Sequence, residues 1–384
     1  MLPRRIGATA AALSLTAVAA GCGWFEPEEA DLDFEAHEAE LTDMYNENIR
    51  LAKELDEAEA RIVQACLEKR GFTVHNPDQF TSWPEAERES FVDQPPYQWF
   101  MPTVEEASDR GFFQWTALDG AEEYEDGALY ATFEEFQAAA GWPVHLSEDE
   151  EIAEFHYLPP EDQYAWYVAY AGDKWAAENH PDLGGPGRKT DASGDEVFYN
   201  PPPEGCLLEM IEAVYGQLQT SENEEEGWTD WTFRPEQPYG DWSAMNERYE
   251  NRTADAEGDL LDCLDDRGRS GWEFYNGTIL VHMYLHEAGE GENALSSHED
   301  SGTRWPDPPQ DAPDADDFEG WLAFERELAV DFAECGDESG FREAAEHAWQ
   351  QAQLRFYLDV EEETFAWQEE MRGHLEKAQE VIGS

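Results

Sequence analysis

Apolar residues recur at helical spacing over much of this chain, separated by stretches rich in Pro, Gly and acids. Leu41, Met44, Tyr45, Ile49, Leu51, Leu55, Ala58, Ile62, Ala65 and Cys66 predict one long helix from about Leu32. Lys69 and Arg70 give it a basic last turn, and Gly71 a C-cap. Thr103 and Glu106 have the offset of a capping box, predicting a short helix that stops by Gly111. Further helices are predicted over 132–140, from Glu161 to about Ala171, from Cys206 through Tyr215, and from a Ser243 cap to Leu264. Two more run from about Asp317 to Cys335 and from Phe341 to Ile382, the second long enough to bend or split. Residues 272–287 carry both a strand-like Ile279-Leu280-Val281 and a helical His282, Leu285, His286, with helix favoured. Residues 72–100 and 112–130 show no period. The terminal helix is amphipathic through Trp349, Leu354, Phe356 and Leu358; folding back on the first helix is the expectation, with docking to another protein as the alternative.

The pattern at the start is different. Arg4 and Arg5 precede a small, apolar run from Ile6 to Ala20, and Val18-Ala19-Ala20-Gly21-Cys22 follows. This is the layout of an export signal, too short and too early for an ordinary spanning helix. The cysteine after the small residues resembles the lipobox of bacterial lipoproteins. Residues 1–21 are therefore read as a lipoprotein signal and Cys22 as the lipidated residue. Residues 22–31 form an acidic tether, and 32–384 a predominantly helical domain. The Gly/Pro-rich linker 183–203 leaves a division into lobes 32–182 and 204–384 open. The expected location is the extracytoplasmic face of the cell membrane.

Composition changes the picture of the surface. There are 89 acidic and 23 basic residues, for a formal charge of −66. The acids are spread along the chain, so net repulsion opposes compactness in dilute solution and concentrated salt relieves it. This predicts adaptation to high external salt, as in a halophilic bacterium. Nucleic acid is excluded as a partner, because nothing here neutralises phosphates. The 15 Trp, 15 Tyr and 20 Phe argue against disorder and for an aromatic core under a carboxylate shell.

With Cys22 given to lipid, Cys66, Cys206, Cys263 and Cys335 remain, allowing two disulfides in any of three pairings. No Cys-x-x-Cys pair supports redox chemistry or a usual zinc site. The fold class that follows is mostly α, an irregular multi-helix assembly braced by two disulfides with the long N- and C-terminal helices packed together. Cys66-Leu67-Glu68-Lys69-Arg70-Gly71 is echoed by Cys263-Leu264-Asp265-Asp266-Arg267-Gly268, either as a duplicated unit or as a shared way to end a disulfide-bearing helix.

These elements together resemble a group of exported actinobacterial proteins, many of them lipoproteins. The likeness rests on Cys66 to Phe72, Pro102 to Ala107, Gly205 to Gly216, Cys263 to Gly268 and Asp331 to Cys335. It departs over 112–160 and 269–310, and Arg269 stands where the group has an aromatic residue. The resemblance implies structural cysteines and an exported helical fold, and it assigns no activity.

Candidate chemistry is sparse. His282 and His286 share a helical face, and His298 is a third metal-ligand candidate, but Met283 stands where a zinc protease has its Glu. A structural or surface role is the simpler reading. Tyr97 and Trp99, and Trp166 and Tyr167, are candidates for stacking on a ligand, against core filling as the simpler account. No nucleophile elbow or Gly-rich phosphate loop occurs, so no catalytic residue and no cofactor is assigned. The function expected is a structural or partner-binding role in the cell envelope, with an envelope protein or glycan as partner. The alternatives are a solute- or glycan-binding module and an envelope hydrolase.

Overall fold

The computed structural model describes residues 30–80, 86–117, 121, 127, 131–133, 136, 153–183, 200–223, 228–290, 305–306, 313 and 317–384. The lipobox and Cys22, most of the helix predicted over 132–140, and His298 lie outside them. Residues Asp33–Ser384 cluster as a single compact unit.

Helix α1 spans Phe34–Lys69 and begins where Asp33 accepts a hydrogen bond from the Ala36 N–H. It ends as its sequence predicts. Gly71 takes a φ of +97°, and the Phe72 N–H returns to the Leu67 carbonyl at 3.1 Å, satisfying an orphan acceptor of the last turn. Helix α2, Val104–Arg110, carries the full capping box between Thr103 and Glu106. Then come α3, Pro160–Ala171, the short α4, Asp173–Asn179, and α5, Gly205–Val214. A hairpin of β1, Gln219–Asn223, and β2, Trp228–Thr232, leads through a proline-containing strap to α6, Trp242–Asp266.

The cap of α6 is Asp241, not Ser243. The Asp241 carboxylate accepts from the Ala244 N–H at 3.0 Å, and the helix starts two residues earlier than a Ser243 cap would place it. Residues 272–287 are likewise only half helix. Phe274–Tyr275 (β3) and Thr278–Ile279 (β4) form a minimal hairpin around Asn276 and Gly277, both at positive φ, and α7 runs Val281–Glu290. Helix α8 is Phe318–Glu338. The C-terminal apolar stripe divides into α9, Phe341–Leu358, and α10, Glu361–Gly383, with the break at Asp359-Val360.

Helix α10 lies along α1, and α9 along α6. The long terminal helices therefore pack together. Leu51 and Leu55 meet Trp367 and Met371 in that seam. Gln368 donates to the Met44 carbonyl at 2.9 Å and to Asn48 Oδ1 at 2.7 Å, fixing the register of the two helices. The larger core joins α6, α8 and α9 around Trp115, Trp321, Phe332 and Phe341. A second core joins the end of α1 to α3 and α5 around Phe155, Trp166 and Met210. Each core draws on residues from both sides of 183–203, so that stretch does not separate two hydrophobic interiors.

The four cysteines form two bridges, Cys66–Cys206 and Cys263–Cys335. The first ties α1 to α5, the second α6 to α8. Among the described residues no helix is long and apolar enough to cross a membrane.

Candidate functional site

The predicted stacking residues separate in space. Trp166 is fully buried and Tyr167 nearly so, in the core beside Phe155 and Tyr170. His180 lies flat on the Tyr167 ring at 3.5 Å, and Asn76 donates to the Tyr167 hydroxyl at 2.8 Å. No face of this pair is open to a ligand. Tyr97 is also buried, while Trp99 is 40% exposed and packs edge-on against Phe136 at 5.1 Å. His282 sits on the exposed side of α7, and the His286 side chain and His298 lie outside the description. Among the described residues no group of three or more His, Cys, Asp or Glu side chains is arranged to hold a metal ion.

A cavity of about 680 Å³ is bounded by Tyr97, Met101, Arg110, Phe136 and Arg342. Its two arginines are already paired. Arg110 pairs with Glu106 at 3.2 Å and lies over the rings of Phe113 and Phe136. Arg342 pairs with Asp337 at 2.6 Å, donates to the Met101 and Pro102 carbonyls, and covers the Tyr97 ring. These guanidiniums hold the wall together.

A second cleft, about 370 Å³, is built differently. One wall is the α1 face carrying Tyr45, Asn48, Lys53 and Asp56. The opposite wall is the strap before α6, with Gln237, Pro238 and Tyr239, followed by Trp242. Phe356, Tyr357, Val360 and Thr364 close it where α9 gives way to α10, and Arg88 and Asp93 come from the segment before α2. The helix break at Asp359-Val360 thus forms part of the cleft.

Local sequence explains the strap. Pro235 and Pro238 hold the chain extended and remove two N–H donors. The Trp367 indole donates to the Pro235 carbonyl at 3.0 Å, pinning the strap to α10. Gly240 lets the strap press on the end of α9, since a Cβ there would stand 2.5 Å from both the Phe356 ring and its carbonyl oxygen. Asp241 then caps α6, which sets the Trp242 ring 4.5 Å from that of Phe356.

The result is an open aromatic platform. Tyr239 is 59% exposed and Trp242 50%. Behind them Tyr357 meets Tyr45 edge-on at 6.1 Å, and Arg88 lies over the Tyr45 ring at 4.6 Å. Asp56 receives Arg234 at 2.7 Å. The same Arg234 Nη2 lies 2.7 Å from Glu59, whose carboxylate also accepts from the Tyr215 hydroxyl. Burial opposes the Arg234 charge, yet Glu59, Tyr215 and Asp56 hold its pKa above the usual value. Burial also pushes up the phenol of Tyr215. Asp93 accepts from the Trp349 indole at 3.0 Å and from Gln353. Its burial raises the carboxyl pKa against the pull of Gln353, Arg88 and Trp349.

Chemically, the cleft offers ring faces beside amide and carboxylate groups, which can stack on and hydrogen-bond a small ligand. Sequence reasoning missed it, though one signal was present. In Pro238-Tyr239-Gly240-Asp241-Trp242 the aromatic residues precede or open a helix and fall off its apolar stripe. Compared with family models, with curated proteins and with solved structures, the chain finds no match.

Proposed function

We propose that this protein is a lipid-anchored binding protein of the cell envelope, tethered through Cys22 and adapted to concentrated salt. In this reading residues 22–31 hold the helical body near the membrane, and the cleft between α1 and the strap captures an extracytoplasmic ligand. The N-terminal pattern of Arg4, Arg5, the apolar run and Cys22 supports the anchor. Two disulfides fit an oxidising compartment, and the likeness to exported actinobacterial lipoproteins points the same way. The exposure of Tyr239 and Trp242 at a preformed cleft is the observation that carries binding, because exposed large rings over a concave site lose water favourably only when something covers them.

The experiment is fractionation of the full chain and its Cys22→Ser variant, followed by capture of envelope material at molar salt by the wild type and Trp242→Ala. The expected results are a lipid-modified membrane fraction that disappears in Cys22→Ser and a capture that weakens in Trp242→Ala. An unmodified N-terminus in the membrane fraction, or capture indifferent to Trp242, overturns the corresponding half of the proposal.

A further inference from the structure

Resting on that reading of the cleft, we propose that its ligand is a saccharide, stacked on Trp242 and Tyr239 and hydrogen-bonded by Asn48, Gln237 and Asp56. Three observations select this class. First, the two rings are exposed while Tyr45 and Phe356 behind them are buried, so they form a supported platform of the kind that lies against the C–H face of a sugar. Second, the polar groups beside them include planar side chains with both donors and acceptors. Asn48 spends its carbonyl oxygen on Gln368, which leaves its amide nitrogen as a donor, and Gln237 supplies a second amide.

Third, the cleft is electrically balanced in a chain of formal charge −66. Lys53 and Arg88 stand against Asp56 and Asp93. The Asp56 charge is met by Arg234, and the Asp93 carboxyl is held by Trp349 and Gln353. Arg234 is shared between Asp56 and Glu59, so an organic cation reaching the rings would meet a guanidinium already seated on the Asp56 carboxylate, with Lys53 and Arg88 also in the lining. A polyhydroxylated, uncharged ligand needs no carboxylate partner. The volume lies near the lower end of the range for ligand sites, roughly 300–1,000 Å³, which suits a short saccharide or the end of a longer one.

The test uses the oxidised full chain at molar salt. N,N′-diacetylchitobiose, cellobiose, maltose and mannobiose are titrated beside glycine betaine, with tryptophan fluorescence and calorimetry as readouts. At least one disaccharide is expected to bind, with affinity falling tenfold or more in Trp242→Ala and in Tyr239→Ala. Trp99→Ala, an exposed tryptophan outside the cleft, leaves it unchanged. Circular dichroism of each variant verifies the fold, and Tyr239→Phe, which keeps the ring, retains most of the affinity. Binding of betaine without any sugar, no sugar binding at all, or sugar binding that survives both alanine variants overturns the assignment. In those cases loss of envelope capture by Trp242→Ala still separates a wrong ligand class from a wrong site.

Discussion

Arg70 Nη2 lies 2.6 Å from Glu209 Oε1, four residues beyond Cys66 and three beyond its bridge partner Cys206. The arrangement recurs at the other disulfide. Arg267 is four residues beyond Cys263, Glu338 three beyond Cys335, and their side chains meet at 2.9 Å. In both places a glycine at positive φ ends the helix after the arginine. The sequence echo is therefore a structural unit used twice, a disulfide flanked by a clamp. The two clamps differ in reach, because Arg267 also pairs with Glu334 and Asp331 and is less exposed than Arg70. Arg267→Ala is expected to cost about 1 kcal/mol, and Arg70→Ala about 0.5 kcal/mol or less. Denaturant unfolding at two salt concentrations checks this, with both effects shrinking at the higher one.

Removing either bridge should cost nearly the same. The bridges close separations of 140 and 72 residues, and the loop-entropy contribution varies only with the logarithm of length. Each Cys→Ala pair is expected to lose roughly 2–5 kcal/mol, the longer loop by well under 1 kcal/mol more. Equilibrium unfolding of the double-alanine variants measures it. Intact mass of the protein purified without reductant should show no free thiol among these four cysteines.

Glu325 is fully buried, and its carboxylate accepts the N–H groups of Phe112, Gln114 and Trp115 at 2.7–3.0 Å. Burial pushes its pKa from 4.5 up to about 7, against those three donors. A raised carboxyl pKa favours the folded state below pH 4.5, and this contribution is lost as pH rises through 7. The shift corresponds to about 3 kcal/mol between those limits. Glu325→Gln should abolish that slope in a plot of unfolding free energy against pH. Glu325→Ala should cost about 3 kcal/mol or more below pH 4.5, because three buried donors lose their acceptor, and its cost should fall as pH rises through 7.

Histidines contribute the opposite slope. Burial lowers the pKa of His180, and that of His75 against the charge of Glu68. A base with a depressed folded pKa stabilises the fold above 6.5, and that contribution is lost as pH falls through the lowered value. His180→Phe keeps the ring on Tyr167 and places a hydrocarbon where Nε2 was buried without a partner. It should flatten the loss of stability below pH 6.5 while changing stability at pH 8 by about 0.5 kcal/mol or less. Thermal unfolding across that range provides the measurement.

The whole chain should need salt. With 89 carboxylates and 23 cations, and with many acids outside the clamps, self-repulsion dominates at low ionic strength. The melting temperature of the oxidised chain should rise steadily from dilute buffer to molar salt, where screening acts within about 3 Å. A melting temperature that fell with added salt would contradict the expectation.

What the sequence determined by itself was local. The ends of α1 and of α2 follow from capping residues and period, which act within a few turns of chain, and the number of cysteines allowed two bridges; the C-terminal stripe showed only that it was long enough to bend or split. Tertiary structure decided which cysteines joined, that Trp166 and Tyr167 are interior, and that Tyr239 and Trp242 are not. The reason is physical. An aromatic side chain has the same local propensity whether it fills a core or faces solvent, and only long-range packing, here the Gly240 approach to Phe356 and the Trp367 bond to Pro235, fixes which side of the chain is covered.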